Sequence, residues 1–189
     1  MLISGRGSNL RAIIDAIAEH RLDATIAVVI SNNADAPGLQ HAREAGIETL
    51  VLNHSAYPSR EDYDRALVGE LQARGVGLVC LAGFMRLLSP AFIAAFPNRI
   101  LNIHPSLLPK YPGRHPQQQA LDDGATVSGA TVHFVNADLD AGPVVLQREV
   151  PVLPGDTADA LAARILKVEH QLYPDAIARV LGESSSGGN

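Results

Sequence analysis

The chain has 189 residues, with 15 basic against 20 acidic side chains and a formal net charge of −5. Hydrophobic residues make up 47% and charged ones 19%, which excludes a disordered chain and suits a single globular domain. The acidic balance supplies no overall basic field for duplex nucleic acid, although a few local cations can still hold a small anion.

Leu2 to Ser4 reads as a strand stub. Leu10, Ile13, Ile14 and Ile17 follow the i, i+3, i+4, i+7 spacing of a helix with one buried face. Thr25 to Ser31 is a continuous apolar, β-branched run, which predicts a strand covered on both faces. Pro37 to Ala45 reads as a helix opened by proline and closed by Gly46, and Glu48 to Leu52 as a third strand. Ser59 with Asp62 fits a capping-box-like start for a helix reaching Arg74. Leu78 to Ala82 and Ile100 to His104 are two more strands, separated by a short helix that starts at Ser89-Pro90. Cys80, the one cysteine, lies in the first of these and reads as a buried thiol; alone, it excludes an intramolecular disulfide framework and a Cys-based zinc site.

The last third changes character. His115 to Asp123 predicts a helix. Ala125 to Val135 and Val144 to Val152 predict strands joined by the turn-rich segment Asn136 to Pro143. Asp156-Thr157 caps a long helix whose stripe is Leu161, Ile165, Val168 and Leu172. This β-α-β-α order predicts a three-layer α/β/α, Rossmann-like, mostly parallel sheet of about seven strands, with one antiparallel strand near the C-terminal half. One domain is expected over 1–182, with a flexible Ser/Gly-rich tail at 183–189. No apolar run reaches the ~20 residues of a membrane span, and no secretory pattern opens the chain. A cytoplasmic protein with neither membrane nor nucleic-acid partners is expected.

Three segments carry candidate chemistry. Ser4-Gly-Arg-Gly-Ser-Asn9 lies between a strand and a helix, where glycines let backbone N–H groups turn toward an anion at the helix N-terminus. The dinucleotide pattern G-x-G-x-x-G fails, because its third position is Leu10 and the second strand ends in Ser31-Asn32-Asn33 rather than an acid. A phosphate-binding loop for a mononucleotide-like ligand competes with a purely structural turn. In Ile100-Leu-Asn-Ile-His-Pro105, Asn102 and His104 stand two apart on one strand face, at its carboxyl end, where open parallel sheets place ligands. A carboxamide donates to a developing oxyanion, and an imidazole moves a proton near neutral pH. Asp138-Leu-Asp-Ala-Gly-Pro143 supplies a carboxylate, Asp140, that would orient an imidazole and favour its cation. A metal site from His104, His115, His133 and Asp140 has no supporting ligand spacing, and no metal is expected. Arg60, Arg86, Lys110 and Arg114 flank predicted loops, and Glu169 lies on the edge of the last helix's apolar stripe.

With these segments the chain resembles the phosphoribosylglycinamide formyltransferases, the folate-dependent transformylases of purine synthesis. The likeness runs from Leu2 to about Leu181. It is carried by Ile3-Ser-Gly-Arg-Gly-Ser-Asn-Leu10, Leu81-Ala-Gly-Phe-Met-Arg-Leu-Leu-Ser-Pro90, Leu101 to Gly113, Val132-His-Phe-Val135, Leu139-Asp140, Gly142-Pro143 and Glu169-His170 before Tyr173-Pro174. The resemblance implies formyl transfer from the co-substrate 10-formyltetrahydrofolate to the amine of 5-phosphoribosylglycinamide, without a metal, by a monomer or weak homodimer. It implies catalysis by Asn102, His104 and Asp140. It implies phosphate binding by Gly7, Ser8 and Asn9, and ribose binding by Glu169 with Leu166, Lys167 and Val168. The formylfolate would be held by Arg60, Met85, Arg86, Leu87, Leu88, Asn102, Asn136, Ala137, Asp138, Leu139 and Asp140.

The chain departs from the family in a shorter first strand, in Ala141 where the family carries a second glycine, and in Gln117 where many relatives carry histidine. Ala141 would alter the folate loop if its position needs positive φ. A related formyltransferase acting on another amine and a non-catalytic folate or nucleotide binder are the alternative functions. The first would add a nucleic-acid-binding domain in the tRNA case, and the second has no use for Asn102, His104 and Asp140 together.

Overall fold

A computed structural model of the chain describes residues 1–186. It has an α/β fold whose sheet is seven-stranded, in the order β3-β2-β1-β4-β5-β6-β7. The contacts divide the chain into two compact units, Met1–Leu101 and the residues from Asn102 on, so the boundary falls inside a strand.

In the first unit β1 (Leu2–Ile3) pairs in parallel with β2 (Val29–Ser31) and β4 (Val79–Leu81), and β2 pairs in parallel with β3 (Thr49–Val51). The chain leaves β1 toward β2 and β3 and returns to its other side as β4. That reversal is the topological switch point at which open α/β sheets bind ligands, outside the carboxyl ends of the strands. β1, β2 and β4 are buried, as strands covered on both faces require, whereas the edge strand β3 is half-buried. Helix α1 (Ser8–Ala18) buries Leu10, Ile13 and Ala16. Helix α2 (Gly38–Glu44) begins behind Pro37 and closes at Gly46, whose φ is +71°. Helix α3 (Arg60–Ala73) opens as expected: Asp62 N–H donates to Ser59 Oγ at 3.1 Å. Helix α4 (Pro90–Ala95) is capped by Ser89. A 3-10 turn at His54–Ala56 was not foreseen.

The strand expected over Thr25 to Ser31 begins only at Val29. Its neighbour β1 pairs Leu2 with Ile30 and Ile3 with Ser31, and Met1 N–H donates to the Val28 carbonyl at 3.0 Å. Ile14 and Ile17 are half-buried: with Ala24 to Ala27 and Ala45 to Glu48 they line an open groove.

In the second unit β5 (Ile100–His104) leads through α5 (Pro116–Asp122) to an antiparallel pair, β6 (Val127–Phe134) and β7 (Val144–Pro151). The ladder slips between Val132 and His133, so Val132 faces Leu146 and His133 faces Val144. Gly129 is required there, since a Cβ would lie 2.2 Å from the Arg148 carbonyl oxygen. Helix α6 (Ala158–Ser186) takes in residues 183–186, the first part of the stretch expected as a tail, and 187–189 lie outside the described residues. Its buried stripe is Leu161, Ile165, Glu169, Leu172, Tyr173 and Ala176. Glu169 thus takes the central position that the sequence pattern gave to Val168, which is half-buried.

Candidate active site

The loop after β1 turns into α1 through Gly7, which is left-handed at φ +68°. A Cβ on Gly7 would meet the Gly38 Cα at 2.8 Å, and one on Gly38 would meet Ile3 Cδ1 at the same distance. These two glycines let the starts of α1 and α2 touch, with Gly38 N–H donating to Gly5 C=O at 3.0 Å. Ser8 and Asn9 therefore open a helix whose first N–H groups have no intrahelical acceptor, the arrangement that receives anions. Ser8 is half-buried and Asn9 buried.

Ser4, in the same loop, ties the switch point together. Its hydroxyl donates to Asn32 Oδ1 at 2.6 Å, just beyond β2, and accepts from Met85 N–H at 2.9 Å, beyond β4. The segment Met85 to Leu88 is held at its other end by Asp64, a buried carboxylate that accepts from Ser89 N–H at 2.5 Å. Between them the Arg86 guanidinium lies over the Tyr63 ring, 5.1 Å from its centroid. Pinning the backbone leaves the Met85 and Leu87 side chains in solvent, 79% and 64% exposed. Exposed apolar groups on a fixed backbone are available to a partner rather than spent on the core. Arg60, the first residue of α3, is exposed and lies 3.5 Å from Glu61.

The second unit brings Asn102, His104 and Asp140 near one another, with His133 between Asn102 and Asp140. Asn102 and His104 share one face of β5. His104 Nε2 lies 2.9 Å from the Tyr111 carbonyl oxygen. A carbonyl only accepts, so Nε2 carries a hydrogen and Nδ1 is the nitrogen left to gain or lose a proton. Nδ1 faces Asp140 Oδ2 at 3.6 Å, and both side chains are 8% exposed. The same carboxylate oxygen accepts from Gly113 N–H at 2.8 Å. Asp140 has φ +51°, whereas Ala141 is not left-handed, so the condition on which Ala141 would alter the loop is not met.

Polar buttressing holds the loop below His104. Thr131 Oγ1–H donates to the Ser106 carbonyl at 2.7 Å and accepts from Leu108 N–H at 3.1 Å. Gln147 Nε2 donates to Thr131 Oγ1 at 2.9 Å and to the Leu108 carbonyl at 2.7 Å. Ser106 Oγ–H reaches the Lys110 carbonyl at 2.6 Å. The hairpin therefore sets the path of the chain that carries the Tyr111 carbonyl.

Asn136 to Asp140 form the turn after β6, where Asp138 N–H donates to Asn136 Oδ1 at 3.0 Å; Ala137, Asp138 and Leu139 are exposed. On α6 Glu169 is 6% exposed, Leu166 and Val168 are half-buried and Lys167 is exposed. Among the described residues no group of three or more His, Cys, Asp or Glu side chains is placed to hold a metal ion. None of their helices is long and apolar enough to cross a membrane.

One residue at this site was given no role from the sequence, where it stands only in the rejected metal set and within the motif Val132-His-Phe-Val135. His133 lies 3.3 Å from Asn102 Nδ2 through its Nε2, and its Nδ1 lies 3.0 Å from the Phe134 carbonyl oxygen. Burial pushes its pKa down, against the smaller opposing effects of that carbonyl and Asp140. The available signal was alternation along β6, which sets His133 on the same face as Thr131.

In the second unit a carboxamide and a buried imidazole–carboxylate pair stand at the end of a strand, groups able to donate to a developing oxyanion and to move a proton. Residues 1–177 match the formyl transferase family, and the chain belongs to that family. It is 54% identical over 174 residues to phosphoribosylglycinamide formyltransferase of Escherichia coli K12, covering 92% of this chain and 82% of that one. It is 48% identical over 177 residues to the human trifunctional purine biosynthetic protein adenosine-3, covering 94% of this chain and 18% of that protein. The crystal structure of glycinamide ribonucleotide transformylase 1 from Symbiobacterium toebii superposes with a TM-score of 0.92 at 57% identity, covering 94% of this chain and 84% of that one.

Proposed function

We propose that the chain transfers the formyl group of 10-formyltetrahydrofolate to the amine of 5-phosphoribosylglycinamide, giving formylglycinamide ribonucleotide and tetrahydrofolate, in purine synthesis. The observation that carries this is the Asn102–His104 pair on one face of β5, with His104 Nδ1 3.6 Å from Asp140 Oδ2.

In the reaction the substrate amine forms a bond to the formyl carbon, the carbon–N10 bond breaks, the amine loses a proton and N10 gains one. The formyl oxygen becomes negative in between. Asn102 Nδ2–H and His104, as imidazolium, donate to that oxygen, which lowers the barrier where charge develops. His104 Nδ1 handles the proton, and Asp140 balances the cation and holds the ring. Gly7, Ser8 and Asn9 receive the substrate phosphate at the start of α1, and Glu169 hydrogen-bonds the ribose. Met85 to Leu88, with Arg60 and the turn Asn136 to Asp140, hold the folate. The site's polar groups supply the acid–base chemistry without a metal.

A spectrophotometric assay of formyl transfer with both substrates tests this, with His104→Ala as the matched variant. Turnover that requires both substrates and falls by about 10²–10⁴ in the variant is expected from loss of a general acid–base group. A folded wild-type protein that binds both substrates without turnover would overturn the activity in favour of a binder.

A further inference from the structure

We propose that His133 is a positioning residue: as a neutral imidazole protonated on Nδ1, it accepts a hydrogen bond from Asn102 Nδ2 and thereby fixes the orientation of that carboxamide. Two contacts carry this. The Phe134 carbonyl oxygen, 3.0 Å from Nδ1, accepts and never donates, so Nδ1 bears the hydrogen. A neutral ring then leaves a lone pair on Nε2, and the group facing it at 3.3 Å must be the NH2 end of Asn102.

A carboxamide has two ends of similar shape and opposite hydrogen-bonding character. Free to flip, Asn102 would present an acceptor to a developing oxyanion in half of its orientations. With one Nδ2 hydrogen committed to His133, the other hydrogen remains a donor, and the carbonyl end is excluded from the place of Nδ2. An imidazolium at position 133 would reverse the arrangement, since two N–H donors demand the Oδ1 end. Burial at 2% exposure disfavours that cation. The charged neighbours on its side are Asp140, with Oδ1 3.9 Å from Nε2, and His104, whose cation opposes a second positive charge. The ladder is irregular beside it: Val132 faces Leu146 and His133 faces Val144, so the register passes over Val145 of β7.

The catalytic consequence rests on the formyl-transfer reading, whereas the hydrogen bond does not, so the two are tested separately on the full chain. In 15N-labelled wild-type protein at pH 7, His133 is expected to show a protonated Nδ1 and a bare Nε2. A through-bond 15N–15N coupling is expected between Nε2 and Asn102 Nδ2. An Nε2–H tautomer or an imidazolium at pH 7 would overturn the proposal, whether or not the enzyme turns over. In the kinetic arm, His133→Asn retains a partner for the Phe134 carbonyl but leaves nothing in the place of Nε2, while His133→Gln puts an amide oxygen there. With unchanged thermal midpoints, kcat is expected to fall about 10–100-fold in His133→Asn, with KM for both substrates within about 3-fold. Most of the loss should return in His133→Gln, and both limbs of the kcat–pH profile should persist. An unchanged kcat, a rise in KM alone, or the loss of a pH limb would each refute positioning. A wild type that transfers no formyl group defeats the reaction reading and leaves the spectroscopic arm to decide the hydrogen bond.

Discussion

At Gly142 the backbone leaves room for hydrogen and nothing larger. A Cβ there would lie 1.7 Å from the Phe134 carbonyl oxygen, far inside any contact that packing tolerates. Gly142→Ala must therefore displace the turn that carries Asp140, two residues away. The expected outcome is a fall in kcat comparable to Asp140→Ala, read in the formyl-transfer assay, together with a lower thermal midpoint. Ala141 shows the opposite case, because the left-handed residue is Asp140 and the side chain at 141 is accommodated. Tyr63 offers a second residue-scale prediction. Its ring is fully buried under Arg86 and its hydroxyl has no hydrogen-bond partner. Tyr63→Phe removes an unsatisfied group at nearly constant volume and should raise stability by roughly 1 kcal/mol in urea unfolding.

Between elements, polar links set the loops more than apolar burial does. Asp64 on α3 joins that helix to the cap of α4 through Ser89 N–H. Asp64→Ala strands a buried donor and should cost about 1–3 kcal/mol. Because Ser89 ends the segment from Met85, faster amide hydrogen exchange is expected there in the variant, while the hairpin is unaffected. The local start signals were legible: Ser59, Ser89 and Thr157 each accept from the backbone N–H three residues on. Less legible were the start of β2, which falls at Val29 rather than Thr25, and the face of α6. An i, i+3, i+4 stripe admits either Val168 or Glu169, and the packing partners choose the acid.

For the molecule as a whole, two groups in different units set opposite pH limits. In the second unit Asp156 accepts from both Nη atoms of Arg164, at 2.7 and 2.8 Å, and from Leu153 N–H at 2.7 Å, tying the start of α6 to the end of β7. Arg164 and that backbone N–H hold the carboxyl at about 2. A depressed acid stabilises the folded state above its unfolded value of 3.8 and loses that contribution as pH falls toward 2. In the first unit burial lifts Tyr63 to about 12 from 10.0. Its contribution is complete below pH 10 and is lost as pH rises through 12. Urea midpoints measured against pH should therefore fall at both ends. Asp156→Asn is expected to flatten the acid limb alone and Tyr63→Phe the alkaline limb alone.

Order along the chain was enough to predict a mostly parallel α/β sheet, since alternating strand and helix patterns leave few other ways to bury both faces of such apolar strands. It was also enough to set Asn102 and His104 on one face, because a strand has a period of two. Position across the chain was another matter. Asp140 meets His104 from 36 positions away only through the path of the hairpin and its turn. The Tyr111 carbonyl that selects the His104 proton belongs to the backbone, which carries no sequence signature. His133 became visible only when the Phe134 carbonyl and the Asn102 carboxamide gave its two nitrogens different partners. Spacing reports which side chains share a face; which atoms then share a proton depends on distances that only folding sets.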